Sequence, residues 1–382
     1  MNEYDADQIA LAINDLGLGY FPVRDFEDSL TLESVLFAMN KSNQAKSDSR
    51  MAESAMKCCV RVAASNRIMP QLMSDAGICE AVLNIMKKHL ADQATNKYAC
   101  LCVHLLAQFH ADISWKLSDL GMCDAIPRSI RCHDRDEEVC TVGCRAIATM
   151  STVHLVNRER FCATGACEMV VKTLINHVKS TPAVEASCQA AINLTIGHME
   201  NVGKLLQAGV CLASANALFY HQTDEKAVEV VLAVMNIAAT DPNSRANYGS
   251  DTPCIPALCQ SMRNLMESPA VLREGCLAMA TIMNGNHFNR TEFGKNGAVE
   301  LIAAVVRRYS GSPEHSDVVH AACRAVFSLS AGHNQHKHQF VDIGVAGMLQ
   351  AIANDPTMHE QARKEAVEAL RYLVPTQTLY SS

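Results

Sequence analysis

The strongest constraint on this chain is a period. Gly77, Gly121, Gly165 and Gly209 are spaced 44 residues apart, the next two steps of 44 land on Pro253 and Gly297, and a last step of 47 reaches Gly344. Other columns keep the same register. Twenty-one residues before each of these positions stand Met56, Cys100, Cys144, Cys188, Leu232, Cys276 and Cys323. Nineteen before stand Cys58, Cys102, Ala146, Ala190, Val234, Ala278 and Ala325, and fifteen before stand Val62, Leu106, Met150, Leu194, Ala238, Ile282 and Leu329. A period kept this long is the signature of stacked units, each burying an apolar face against its neighbours.

Each unit reads as three helices. In the one centred on Gly121, the patterning predicts a long helix over Thr95–Gln108, a short one over Asp112–Leu120 and a third over Cys123–Ile130. The glycine ends the short helix and permits a sharp turn into the next, because it takes positive φ at no steric cost. Small residues in the middle of the long helix suit close helix packing. Polar stretches such as His133-Asp134-Arg135-Asp136 punctuate the units. Seven units fill residues 49–359, divided as 49–92, 93–136, 137–180, 181–224, 225–268, 269–312 and 313–359. Residues 1–48 then form an acidic amino-terminal cap and linker, with helical patterning over Asp7–Leu16 and Ser29–Asn40. Residues 360–382 supply a capping helix, Glu360–Leu373, and a tail.

Composition agrees with this plan and excludes several others. A chain of 382 residues exceeds what one compact core holds. Hydrophobic residues at 49% against charged at 19% argue for a folded chain, and 5% aromatics with one Trp favour helical Leu/Ala/Val/Met packing. No apolar run reaches the roughly 18 residues of a membrane span, and the opening Met1-Asn2-Glu3-Tyr4-Asp5 lacks the pattern of a secretory leader. The expectation is a cytoplasmic protein, with the nucleus equally compatible. Through residue 40 there are eight acids against Arg24 alone, so the net −7 belongs to the amino-terminal segment and the remainder is neutral. A neutral body gives no reason to expect a nucleic-acid partner.

Stretches such as Ala186-Ser-Cys-Gln-Ala-Ala-Ile-Asn193-Leu194, then Asn201 to Gln207-Ala208-Gly209, resemble an armadillo repeat. Ala321-Ala-Cys-Arg-Ala-Val-Phe-Ser-Leu329 followed by Val341-Asp-Ile-Gly344 does the same. The resemblance implies an all-α, right-handed superhelical armadillo-repeat solenoid whose long helices line a concave groove for extended peptides. In peptide-binding members of that family each repeat carries a Trp and, four residues later, an Asn. The matching columns lie 20 and 16 residues before the glycine. The first reads Lys57, Leu101, Arg145, Gln189, Ala233, Leu277 and Arg324, and the second reads Arg61, Leu105, Thr149, Asn193, Ile237, Thr281 and Ser328. There is no Trp, and only Asn193 matches. The acidic amino terminus also contrasts with the basic segment of nuclear-import adaptors, so that function is disfavoured.

The substitutions suggest a different ligand. Lys57 and Arg61 are one helical turn apart, and Lys97 and Arg145 follow in the next units. Gln189 and Asn193 make the middle polar, and Arg273 and Arg324 stand near the far end. The expected groove residues are Lys57, Arg61, Lys97, Arg145, Gln189, Asn193 and Arg324, holding an acidic or mixed acidic and apolar segment of a protein partner, with Arg forks on carboxylates. Pairing with Glu53 or Glu185 would reduce the same residues to solvated surface charge. The acidic segment 1–28, with Ile9, Leu11, Ile13 and Leu16, either caps the first repeat or lies in the groove.

Other constellations read as structural. The 17 cysteines include no CxxC, and a column with one Cys per repeat is spaced at about the 10 Å of packed helices, too far for a shared metal or a disulfide. They read as buried small hydrophobes. His110, His154, His198 and His333, with Asn66 and Asn286 in the same column, read as caps on the carboxyl ends of the long helices. The cluster His333, His336 and His338 lacks an acid on a fixed face for a metal. No catalytic motif is present, and no cofactor is expected. The function expected is a non-enzymatic scaffold or adaptor; a structural part of a cytoskeletal or ciliary assembly and a thiol-based sensor are the alternatives, and oligomeric state is left open.

Overall fold

The structure is a computed structural model that describes residues 36, 39–40, 49–249 and 253–374. The helix expected over Asp7–Leu16, most of that over Ser29–Asn40, and the tail after residue 374 lie outside the described residues. Among the described residues there are 22 α-helices and no strand. None of them is long and apolar enough by itself to cross a membrane. The chain divides into two units, 1–204 and 205–382.

The first unit contains α1 (Ser49–Ser65), α2 (Met69–Asp75), α3 (Ile78–Lys88), α4 (Gln93–Ala107), α5 (Ala111–Leu120), α6 (Met122–Cys132), α7 (Glu137–Ser151), α8 (Leu155–Ala163), α9 (Ala166–Asn176) and α10 (Thr181–Thr195). The division falls inside α11 (Met199–Gln207). The long helices α1, α4, α7 and α10 pack in sequence, each on the next. Their cores are the expected columns: Met56, Cys100, Cys144 and Cys188 are fully buried, as are Leu106, Met150 and Leu194. Residue 143 is Gly because α7 crosses α6 so closely that a Cβ there would stand 2.6 Å from Ile130 Cγ1.

The second unit contains α12 (Val210–Tyr220), α13 (Glu225–Ala238), α14 (Ser244–Gly249), α15 (Cys254–Asn264), α16 (Pro269–Met283), α17 (His287–Lys295), α18 (Ala298–Tyr309), α19 (Ser316–Ser330), α20 (Asn334–Asp342), α21 (Val345–Asn354) and α22 (Glu360–Leu373). The long helices α13, α16, α19 and α22 again pack in sequence. Buried Leu232, Cys276 and Cys323 continue the cysteine column, with Met262 against Gly275 repeating the Ile130–Gly143 approach.

All six period-setting glycines are left-handed, with φ between 69° and 104°. Gly121 is the extreme at 104°, and its N–H reaches Leu117 O and Ser118 O to close α5. Pro253 departs from the column with φ −76°, since its ring forbids positive φ. The preceding short helix, α14, is six residues where the equivalents α8 and α17 are nine.

A second device starts the long helices. Asp92, Asp136, Ser180, Asp224 and Ser268 are N-caps, each accepting from the backbone N–H three residues on. Asp92 therefore starts α4 at Gln93, two residues earlier than apolar patterning alone indicates.

The histidine–asparagine column has a different job from the one expected. It does not cap carboxyl ends; it opens the short helices. Asn286 Oδ1 accepts from Asn289 N–H at 3.0 Å, His333 Nδ1 from His336 N–H at 3.4 Å and His198 Nδ1 from Asn201 N–H at 3.3 Å. The long helices stop before the column is reached: α16 ends at Met283 and α10 at Thr195. His110 and His154 instead donate from Nε2 to Arg67 O at 3.2 Å and Ala111 O at 2.8 Å, tying each turn to the one before.

Candidate functional site

In the first unit the exposed sides of α1, α4, α7 and α10 carry six of the seven expected groove residues. Lys57 and Arg61 are exposed on α1. Lys57 Nζ lies 2.7 Å from Glu53 Oε1 and 5.1 Å from the Tyr98 ring centroid. Its hydrogen bond to Glu53 holds the ammonium above its ordinary pKa. Lys97 Nζ lies 2.7 Å from Glu138 Oε1 and 5.3 Å from the same ring. Two lysines from neighbouring long helices thus converge on one aromatic ring, a favourable cation–π arrangement. The side chain of Lys97 is only 13% exposed, so it is a packed residue and not a mobile surface charge.

Arg145 is half-buried on α7, next to His104. Burial, and then the Arg145 charge, push the His104 imidazole down to about 4. His104 Nδ1 is 2.7 Å from Thr149 Oγ1, whose hydroxyl donates to Arg145 O at 2.9 Å. The hydroxyl hydrogen is therefore committed, and His104 donates from Nδ1 as a neutral ring. On α10, Gln189 Nε2 donates to Asn193 Oδ1 at 2.9 Å, and Asn193 Nδ2 donates to Ala148 O at 2.9 Å and Thr152 Oγ1 at 3.2 Å. Leu101 and Leu105, at the same register on α4, are buried.

The second unit holds the remaining candidate. Arg324 is exposed on α19, on a different unit from the other six. Its column neighbours Ala233, Ile237 and Leu277 are half-buried and apolar. Arg273 is occupied by carboxylates, at 2.9 Å from Glu274 Oε1 and 3.2 Å from Asp317 Oδ2.

Three features escaped the sequence reading. Tyr98 and His104 organise the cations but lie outside the two columns compared. His133 and His177 close the helices α6 and α9 and donate from Nε2 to Leu90 O at 2.8 Å and Asp134 O at 3.1 Å, again one repeat back. The exposed face of α12 is apolar, with Leu212 51%, Phe219 61% and Tyr220 49% exposed. At the position of Leu212 the other repeats carry Glu80, Asp124, Glu168, Pro256, Glu300 and Gly347, and at that of Phe219 they carry Lys87, Arg131, Ile175, Arg263, Arg307 and Asn354.

The cysteines are all free thiols, and all but Cys58 and Cys132 are buried. His333 and His336 stack face to face with centroids 3.5 Å apart, which directs their nitrogens sideways rather than toward a common point.

No protein-family model matches the sequence, and no curated protein matches it. Solved structures do. An engineered protein aligns over 98% of this chain and 99% of its own at 17% identity, with a TM-score of 0.58. A computationally designed armadillo repeat protein, described as made for modular peptide recognition, aligns over 65% of this chain and 99% of its own at 19% identity, with a TM-score of 0.53. With its three-helix period, its left-handed glycines and its successively packed long helices, the chain has an armadillo-like repeat fold.

Proposed function

We propose that this chain is a non-enzymatic scaffold that holds an extended or helical segment of a partner protein along the exposed sides of α1, α4, α7 and α10. The observation that carries this reading is the convergence of Lys57 and Lys97 on Tyr98, continued by Arg61 and Arg145 on the same side of their helices. Exposed ion pairs contribute little, roughly 0–1 kcal/mol each. Carboxylates of a partner can therefore displace Glu53 from Lys57 at small cost, and the Arg guanidinium groups offer bidentate sites. Gln189 and Asn193 would meet a peptide backbone or polar side chains beyond the cationic stretch. Affinity would accumulate over many modest contacts.

The test is affinity capture from source cells with the full chain and with Lys57→Glu/Arg61→Glu/Arg145→Glu, each checked by thermal melt. Loss of one set of partners by a variant that melts like the parent supports the reading. An unchanged partner list at intact stability rejects it.

A second reading, a structural part of a larger assembly, is favoured by the apolar face of α12. Where four of the six other repeats carry an acid at the Leu212 position and four a base at the Phe219 position, this one exposes Leu, Phe and Tyr together, and exposed apolar clusters mark interaction surfaces. Leu212→Glu/Phe219→Glu that abolishes capture, while the triple charge reversal does not, would replace the first reading with this one.

A further inference from the structure

Eight residues before the repeat glycine, α8, α11, α17 and α20 carry Asn157, Asn201, Asn289 and His336. The three asparagines are fully buried, and each donates from Nδ2 to the carbonyl seven residues earlier, at the end of the preceding long helix: Met150 O at 2.8 Å, Leu194 O at 2.7 Å and Ile282 O at 3.0 Å. His336 takes the same post, with Nδ1 donating to Leu329 O at 3.1 Å and 4% of its surface exposed. It is the one titratable member of the set. Its ring stacks on His333, which is itself the N-cap that accepts from the His336 N–H through Nδ1. His333 is thus a neutral ring accepting at Nδ1, and His336 carries a proton at Nδ1.

We propose that the stacked His333–His336 pair is a proton-sensitive latch on α20, closed while both imidazoles are neutral and released when either takes up a proton.

The surroundings give a second proton little accommodation. A Cβ on Gly294 would stand 2.1 Å from His336 Nε2, so the far edge of the ring lies on the backbone of α17. A proton added there would meet that backbone, while one added to His333 Nδ1 would end its acceptance from the His336 N–H. From α17 the pair also faces His287, 5.6 Å from His333, and Arg290. From α18 it faces Glu300, which favours the cation. On α20 itself stand Lys337, its Nζ 4.0 Å from the Tyr372 ring of α22, and His338. The helix α21 carries no titratable side chain. Burial, ahead of these charges, holds both imidazoles below the usual histidine range. The sign follows: the unfolded segment binds protons that the folded one refuses, so closure is complete at neutral pH and weakens as pH falls through the ordinary imidazole range.

The preceding repeat supplies the controls. Its α17 has Asn286 at the His333 position and Asn289 at the His336 position, so His336→Asn and His333→Asn each install a residue this fold already uses there. The experiment is amide hydrogen exchange of residues 334–342 in the full chain at pH 7.5 and 5.5, corrected for intrinsic exchange, with side-chain NMR titration of the histidines. The parent should show His336 titrating below free imidazole, and exchange of α20 accelerated by up to about tenfold per imidazole at pH 5.5, the limit one pH unit below the ordinary imidazole value for a folded form that refuses the proton. Each single variant should reduce that acceleration and His333→Asn with His336→Asn should abolish it, while exchange elsewhere in the second unit is unaltered. Equal acceleration in parent and variants, or none in the parent, would overturn the latch.

Discussion

Asn289 donates from Nδ2 to the backbone carbonyl of Arg245, 44 residues earlier, at 2.7 Å, and to Ile282 O at 3.0 Å within its own repeat. One side chain thereby serves a carbonyl in each of two adjacent repeats. Its Oδ1 lies buried with no hydrogen-bond partner among the described residues. Replacement by Leu leaves two carbonyls without this donor but also removes the orphaned acceptor, so the net cost should be about 2 kcal/mol. Asn289→Asp should be worse than Asn289→Leu, because a carboxylate presents acceptors to acceptors. Denaturant unfolding of the two variants at pH 7.5 gives the order; a less damaging Asp would contradict the donor role.

How much of this was legible beforehand depended on which columns were compared. The glycine period exposed the fold because positive φ leaves few residue choices, and the cysteine column exposed the core because packing leaves few sizes. The staples escaped notice. Asn157, Asn201 and Asn289 keep the step, but the Arg245 and His336 positions break the identity of the column while His336 preserves its bond. The His110 and His154 column was recognised and given the wrong helix end, since the sequence does not mark where the unwound turn after α4 or α7 begins. Of the residues expected in a groove, those of α1, α7 and α10 follow from the columns, while the convergence of Lys57 and Lys97 on Tyr98 depends on how neighbouring helices stack.

His104 makes stability pH-dependent in the first unit. Its folded titration is near 4, against an ordinary value of 6.5. The unfolded chain therefore binds the proton more readily between these values, and stability must fall as pH drops from about 6.5 toward 4 and level off below. The ceiling on that loss is on the order of 3 kcal/mol. Comparing denaturant midpoints of the parent and His104→Gln at pH 7.5 and 4.5 isolates the contribution. A pH response in the variant as steep as the parent's would remove His104 from the account.

The thiols should be mostly silent in the native protein. Burial pushes Cys79 and Cys123 up to about 11, and Cys100, Cys167, Cys188, Cys259 and Cys276 up to about 12. Few thiolates exist at pH 8, and reagent cannot reach them. A bulky thiol reagent should label Cys132 quickly and Cys58 more slowly, with all 17 reacting only after unfolding. Rapid labelling of several further cysteines in folded protein would instead favour a thiol-sensing role.

Gln189 and Asn193 offer a separation of binding from stability. Asn193 is the one residue matching the peptide-holding asparagine of armadillo proteins, yet its Nδ2 is already committed to Ala148 O and Thr152 Oγ1, and its Oδ1 accepts from Gln189. Asn193→Ala should therefore lower stability by about 1 kcal/mol, the net worth of a typical intramolecular hydrogen bond, whether or not a ligand is present. Gln189 is exposed, and among the described residues its only hydrogen bond runs to Asn193 on its own helix. Gln189→Ala should leave the unfolding midpoint within about 0.5 kcal/mol of the parent, as for surface substitutions generally. If this side of α10 meets a partner, Gln189→Ala should still weaken the partners captured by the parent chain, because its amide is free to exchange Asn193 for a peptide group. A midpoint shift in Gln189→Ala as large as in Asn193→Ala would make the pair a structural bond alone, and would confine the proposed contact to the cations of α1, α4 and α7.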